Sequence, residues 1–170
     1  MRRIISLILS IAILFCFNKV YINADAQDIV TEQILSTTIE YLDDGTILEI
    51  TVTENISVVM TLANTYVKTG SKTYTNKNAD GDTLWWFKLS GQYSVNEGVS
   101  SVCTSSWYSH SVLNDNWSLK SASTSKSGSK ALAEATFIRK VLFITAETKE
   151  ISLTLTCDKN GNLSWINFYK

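Results

Sequence analysis

The sequence predicts an all-β protein: an antiparallel β-sandwich, immunoglobulin-like or similar, of about 8–10 short strands behind an N-terminal signal helix. Three observations carry this. Apolar residues recur with period two over Thr83 to Asn96 and Ile151 to Asp158. Asp44-Gly45, Asp80-Gly81, Ser127-Gly128 and Asn160-Gly161 punctuate strand-like runs as hairpin turns. The chain has no proline and seven glycines, most of them at such turns, which leaves long stretches free of breakers.

The first 26 residues read as a secretory signal peptide. Arg2 and Arg3 form a positive n-region, and Ile4 to Phe17 is an apolar run interrupted only by Ser6, Ser10 and Ala12. As a helix that run reaches roughly 21 Å, short of the roughly 30 Å hydrocarbon core, and Asn18 and Lys19 stop it from extending. Ala24 and Ala26 offer cleavage after either residue. Phe15 before Cys16 does not suit lipidation, and a chain without proline has no proline-containing cell-wall sorting motif. The expected product is secreted, with no stable membrane anchor after cleavage.

The mature chain, cut after Ala26, has twelve basic and fifteen acidic residues, so neither nucleic acid nor an anionic surface is an obvious partner. Asp28, Glu32, Glu40, Asp43, Asp44, Glu49 and Glu54 all precede its first base, Lys68. This acidic 28–54 region is either the solvent face of edge strands or a removable pro-segment. Residues 27–35 read as a flexible lead-in and 36–170 as a single domain.

From Ser36 the period is two. Thr38, Glu40 and Leu42 alternate with Ile39 and Tyr41, and Ile47 to Val52 resumes after Asp44-Gly45. Thr83 to Asn96 places Trp85, Phe87, Leu89, Tyr93 and Val95 on one face and Trp86, Lys88, Ser90, Gln92 and Ser94 on the other. Ser100 to Ser129 holds fourteen serines and threonines, yet Val102, Trp107, Tyr108, Val112, Leu113, Trp117 and Leu119 are interspersed, enough apolar load to fold. Ala131 to Ile144 has a locally helical start, but Thr136, Phe137, Ile138, Val141, Phe143 and Ile144 favour strand. In Ile151 to Asp158, Ile151, Leu153, Leu155 and Cys157 face inward.

Two cysteines remain after export, Cys103 and Cys157, and an even count in an oxidising compartment suggests one disulfide. Closing about 55 residues would contribute on the order of 4 kcal/mol. Cys103 shares its parity with Val99 and Trp107, which places both in the core.

Candidate chemistry is sparse. His110 is the only histidine, so a hydrolase would pass through it, with Asp115 nearby, but no G-x-S-x-G elbow marks a nucleophile. Asn76-Lys77-Asn78-Ala79-Asp80-Gly81 matches the first half of an EF-hand loop, but Phe87 stands where the bidentate Glu belongs. Two distant cysteines and one histidine do not make a zinc site. No enzyme activity and no cofactor are expected. Trp86 lies on the polar parity, where it is either covered by a second sheet or the N-terminal segment, or is a ligand anchor. Tyr108, Trp165, Phe168 and Tyr169 invite the same reading, and Trp86 and Tyr108 are the candidate contacts.

Thr69-Gly70-Ser71-Lys72-Thr73, Asn78-Ala79-Asp80-Gly81 before Leu84-Trp85, Cys103-Thr104-Ser105-Ser106, Trp117-Ser118-Leu119, Ser125-Lys126-Ser127-Gly128, Arg139-Lys140-Val141-Leu142 and Leu153-Thr154-Leu155-Thr156-Cys157 give roughly Lys68 to Ser164 a whole-pattern look. In this it resembles an uncharacterised family of short secreted proteins of Gram-positive bacteria. The resemblance implies export and a β fold with paired cysteines. It carries over no activity and no site.

The expected function is therefore a secreted, non-enzymatic extracellular or cell-envelope-associated binding module whose ligand is a glycan or a protein. The alternative is an antimicrobial or membrane-active toxin with an acidic N-terminal pro-segment, since alternating strands also suit a barrel pore.

Overall fold

The computed structural model describes residues 19–21, 30–42, 44–57 and 65–169. Residues 1–18 of the expected signal helix, both cleavage positions and Asp43 lie outside these residues. The described residues form ten strands and no helix: β1 (Lys19–Tyr21), β2 (Val30–Tyr41), β3 (Ile47–Ser57), β4 (Thr65–Lys77), β5 (Thr83–Asn96), β6 (Ser100–Val112), β7 (Trp117–Ser127), β8 (Lys130–Val141), β9 (Ile144–Cys157) and β10 (Leu163–Tyr169).

They build two antiparallel sheets, ordered β1-β2-β3-β4-β5-β6 and β10-β9-β8-β7. Each strand neighbours its successor in sequence, so both sheets are meanders. That differs from the immunoglobulin-like expectation, which requires Greek-key connections. Strands β4 to β9 run 11–14 residues, longer than the short strands expected, as the scarcity of glycine and absence of proline permit.

Two further expectations change at the N-terminus. Val30–Leu35, read as a flexible lead-in, is the start of β2, with Thr31 to Ile34 paired to Ile56 to Thr53. Lys19–Tyr21, inside the expected signal segment, pairs as β1 with Glu32–Val30. The cleavage expected after Ala24 or Ala26 would remove β1 and leave β2 as the sheet edge.

The inner faces follow the alternation. From the larger sheet come Leu48, Ile50, Val52, Tyr74, Trp85, Phe87, Leu89, Tyr93, Val95 and Cys103, and from the smaller Trp117, Phe137, Ile151, Leu153, Leu155, Cys157 and the alanines 131, 133 and 135, all buried. Trp85 stacks on Phe137 across the two sheets at 4.1 Å and 8°, and the Tyr93 hydroxyl donates to the Leu155 carbonyl at 2.8 Å. Gly70 and Gly91, register partners on β4 and β5, let the sheets approach. A Cβ on Gly70 would stand 2.5 Å from Leu163 Cδ1, and one on Gly91 2.8 Å from Ala131 Cβ.

At β6 and β7 the sheets meet. The Cys103 amide donates to the Gly128 carbonyl at 2.8 Å, the Ser106 hydroxyl to the Ser125 carbonyl at 3.1 Å, and the Lys126 ammonium to the Thr104 carbonyl.

Candidate functional site

The outer face of β3 to β6 is a field of small hydroxyl side chains, because the outward parity of β3, β4 and β6 is rich in Ser and Thr and β5 adds Ser90 and Ser94; of these, Ser71 and Ser90 are buried. Strand register sets it out in rows. Glu49, Thr75, Trp86 and Ser111 form one, Thr51, Thr73, Lys88 and Ser109 the next, and Thr53, Ser71, Ser90 and Trp107 a third. Ser71 and Ser90 hydroxyls hydrogen-bond each other at 2.9 Å. Trp86 is half-buried between Thr75 and Ser111, and Trp107 is 42% exposed.

Trp107 stands on this face because of a bulge. Tyr93 pairs with Cys103 but Gln92 pairs with Ser105, so Thr104 is an extra residue and the parity of β6 inverts there. Cys103 points into the core as expected, while Trp107, expected beside it in the core, points out. Tyr108 consequently lies on the opposite face from Trp86, at 38% exposure, with its ring 5.5 Å from Phe87 and 6.1 Å from His110. The two contacts predicted from sequence, Trp86 and Tyr108, are therefore not brought together. Trp86 and Trp107 share one face, four residues apart along it.

His110 is exposed on β6, with its ring 6.1 Å from that of Tyr108. The EF-hand-like stretch is a hairpin: Asn76 and Phe87 are buried in β4 and β5, and the Asn78 amide side chain and Asp82 close the turn on each other at 3.1 Å. Among the described residues no three His, Cys, Asp or Glu side chains cluster for a metal. Cys103 and Cys157 are free thiols rather than the expected disulfide. Their amides straddle the β7–β8 turn, bonding Gly128 and Ser129 carbonyls, and each thiol is directed at a main-chain oxygen, of Ser105 and Asp158 respectively. Burial pushes both thiols above their ordinary pKa.

Beneath the hydroxyl field, the inner face of β4 is polar. Lys68, 6% exposed, pairs with Glu54 and donates to the Gly161 carbonyl at 2.7 Å. Lys72, fully buried, donates to the Ile166 carbonyl at 2.7 Å, with its ammonium 5.4 Å from the Tyr74 ring centroid. Burial lowers the Lys72 pKa to about 8, against the pull of Glu40. Asn76 is also fully buried, and neither atom of its amide has a hydrogen-bond partner among the described residues.

A cavity of about 210 Å³ opens at the end of the sheets, lined by Asp44, Thr46, Asn78, Leu84, Trp117 and Arg139 among others. Its charges are already paired. Arg139 meets Glu147 at 3.0 Å, and Lys149 bridges Asp44 at 3.0 Å and Glu147 at 3.1 Å. The Thr46 hydrogen bonds, followed by Lys149, hold Asp44 down at a pKa of about 2.

Compared with known proteins, the chain matches no family model, no curated protein and no solved structure. The site is accordingly argued from its own chemistry. Sequence parity alone missed Trp107 and the buried lysines. The signal for Trp107 was the bulge, which no glycine at Thr104 advertises.

Proposed function

We propose that the chain is an exported, non-enzymatic binding module: a β-sandwich that takes a neutral polysaccharide strand along the outer face of β3 to β6. The observation that carries this is the pairing of Trp86 and Trp107 on one face floored by serine and threonine hydroxyls. The two indoles sit on adjacent strands four residues apart along the strand direction, roughly 14 Å at about 3.4 Å per residue. A linear oligosaccharide spans that distance. Its pyranose C–H faces pack on indoles, and its hydroxyls exchange hydrogen bonds with Ser and Thr side chains that are both donors and acceptors. The rows carry few charges, Glu49 and Lys88, which suits an uncharged ligand.

The stacking of Trp85 on Phe137 and the Tyr93 to Leu155 hydrogen bond support the face-to-face sandwich. Arg2, Arg3 and the apolar run after them support export and a location at or outside the envelope. Excision of an acidic 28–54 pro-segment would strip Leu48, Ile50 and Val52 from the core, which counts against the toxin alternative.

The test is co-sedimentation with insoluble peptidoglycan, chitin and cellulose. Wild type is expected in the pellet with at least one of them, and Trp86→Ala and Trp107→Ala each to weaken retention about tenfold or more. A double variant that pellets like wild type removes the face from consideration.

A further inference from the structure

The hairpin joining β8 and β9 departs from every other turn among the described residues. Val141 pairs with Ile144, so Leu142 and Phe143 form a two-residue connection, and both have positive φ, 49° and 69°. That is the backbone of a type I′ turn, which favours Asn-Gly and disfavours bulky side chains. Elsewhere among the described residues positive φ falls on glycine, at Gly45, Gly81, Gly98, Gly128 and Gly161. Here a leucine and a phenylalanine hold the strained positions. Strain of this kind persists where function requires the side chains it presents.

Those side chains are presented to solvent. Val141 is 47%, Leu142 86%, Phe143 99% and Ile144 72% exposed. Strand register shows why nothing shelters them among the described residues. β7 begins at Trp117, opposite Arg139, and β10 runs only to Tyr169, opposite Ile151. Past those points the Lys140 amide still donates to the Asn116 carbonyl at 2.8 Å, and beyond it β8 and β9 pair as strands with each other alone and project as a two-stranded tongue, exposed on both faces from 139 to 146. Immediately behind the apolar tip come Arg139 and Lys140. The nearest acid on the tongue, Glu147, is held by Arg139 and by Lys149.

We propose that this tongue docks the protein onto a lipid bilayer, with Val141 to Ile144 entering the interface and Lys140 at headgroup level, Arg139 being held by Glu147. The shape favours lipid over a protein groove. A specific protein–protein interface buries roughly 1,200–2,000 Å², more than a convex tip of four residues offers. Entry into the bilayer interface needs only apolar side chains at a tip and a cation one step behind, which is the order found here in Val141 to Ile144 and Lys140. The insertion is shallow, since four strand residues in a hairpin reach no more than about 7–10 Å, and the contact is peripheral and reversible. It is separate from the saccharide face, which lies on β3 to β6 of the other sheet. The two together would hold a module between membrane and wall.

The test compares the full secreted chain with Leu142→Asn/Phe143→Gly. This variant supplies the residues that the turn favours, so its melting temperature should equal or exceed that of wild type while both apolar side chains are gone. Both proteins are co-sedimented with vesicles of phosphatidylcholine alone and mixed in equal parts with phosphatidylglycerol. Wild type is expected to partition to both, more strongly to the anionic vesicles, and the turn variant at least tenfold less to either. Lys140→Gln should weaken only the anionic preference, by about fivefold. Wild type that ignores both vesicles, or a turn variant that binds like wild type, overturns the proposal. So does a tip-dependent dimer in sedimentation velocity without vesicle binding, which would assign the tongue to a second copy. Sedimentation with polysaccharide is unaffected in the turn variant, so failure here leaves the saccharide face to its own test.

Discussion

β4 and β5 lie side by side in the middle of one sheet, and their inner faces are opposites. β5 turns Trp85, Phe87, Leu89, Tyr93 and Val95 inward, all with no exposed surface. β4 turns Lys68, Gly70, Lys72, Tyr74 and Asn76 inward, against the same opposing sheet. The difference teaches how the two sheets are joined. Over β5 they are held by apolar packing, as where Trp85 meets Phe137. Over β4 they are held by ammonium groups reaching across to carbonyl oxygens of the β9–β10 turn and of β10 itself. Since each such amine is hydrogen-bonded, its burial is tolerated, but each also leaves the structure dependent on a partner.

Breaking the β5 side should have the largest effect. Phe87→Ala removes a fully buried ring that meets Phe137 edge-on at 6.3 Å, and the expected loss is about 3–5 kcal/mol in urea unfolding. Glu54→Gln attacks the β4 side by leaving the buried Lys68 ammonium without its counter-charge, at a cost of about 3 kcal/mol, the lower end for a broken buried pair because the Gly161 carbonyl remains. Combining Glu54→Leu with Lys68→Met should recover most of that loss, as replacement of a whole buried pair commonly does. If the double variant is as unstable as Glu54→Gln, the pair does more than satisfy itself.

The same contrast explains what could be read in the sequence. β5 was legible because large apolar residues alternate with polar ones for fourteen residues, and β9 likewise from Ile151 to Cys157. β4 offers no such alternation. Nothing local distinguishes a lysine facing water from one capped by a carbonyl 93 or 94 residues further along the chain. The turns at Gly45, Gly81, Gly128 and Gly161 were legible because glycine relieves the positive φ that the backbone adopts there. Leu142-Phe143 was not, since Val141 to Ile144 has the composition of a strand interior and reads as one. On the candidate face, Trp86 was found by parity. Trp107 was assigned to the core because parity counting carries no information about a one-residue bulge at Thr104.

The smallest effect expected is also the one that most directly probes an amine in an apolar sheet. With its pKa lowered to about 8 from an ordinary 10.5, Lys72 loses its proton more readily in the folded state than in the unfolded chain. Between those two pH values the unfolded state binds more protons at Lys72, so the contribution of this residue to stability rises with pH across that window. Below pH 8 both states are charged and the fold carries the full cost of holding a buried ammonium. Lys72→Met has no proton to lose there and keeps only the pH slope common to both proteins, which the raised Cys103 and Cys157 thiols and Tyr93 hydroxyl tilt the other way. It is therefore expected to exceed wild type by about 1–3 kcal/mol at neutral pH, the apolar replacement outweighing the lost bond to the Ile166 carbonyl, and to lose that advantage as the pH approaches 10.5. Urea midpoints taken at intervals through the window measure it. A difference between the two proteins that stays constant with pH would mean that the amine is solvated in the fold, and that β4 is not the strand whose buried cations join the sheets.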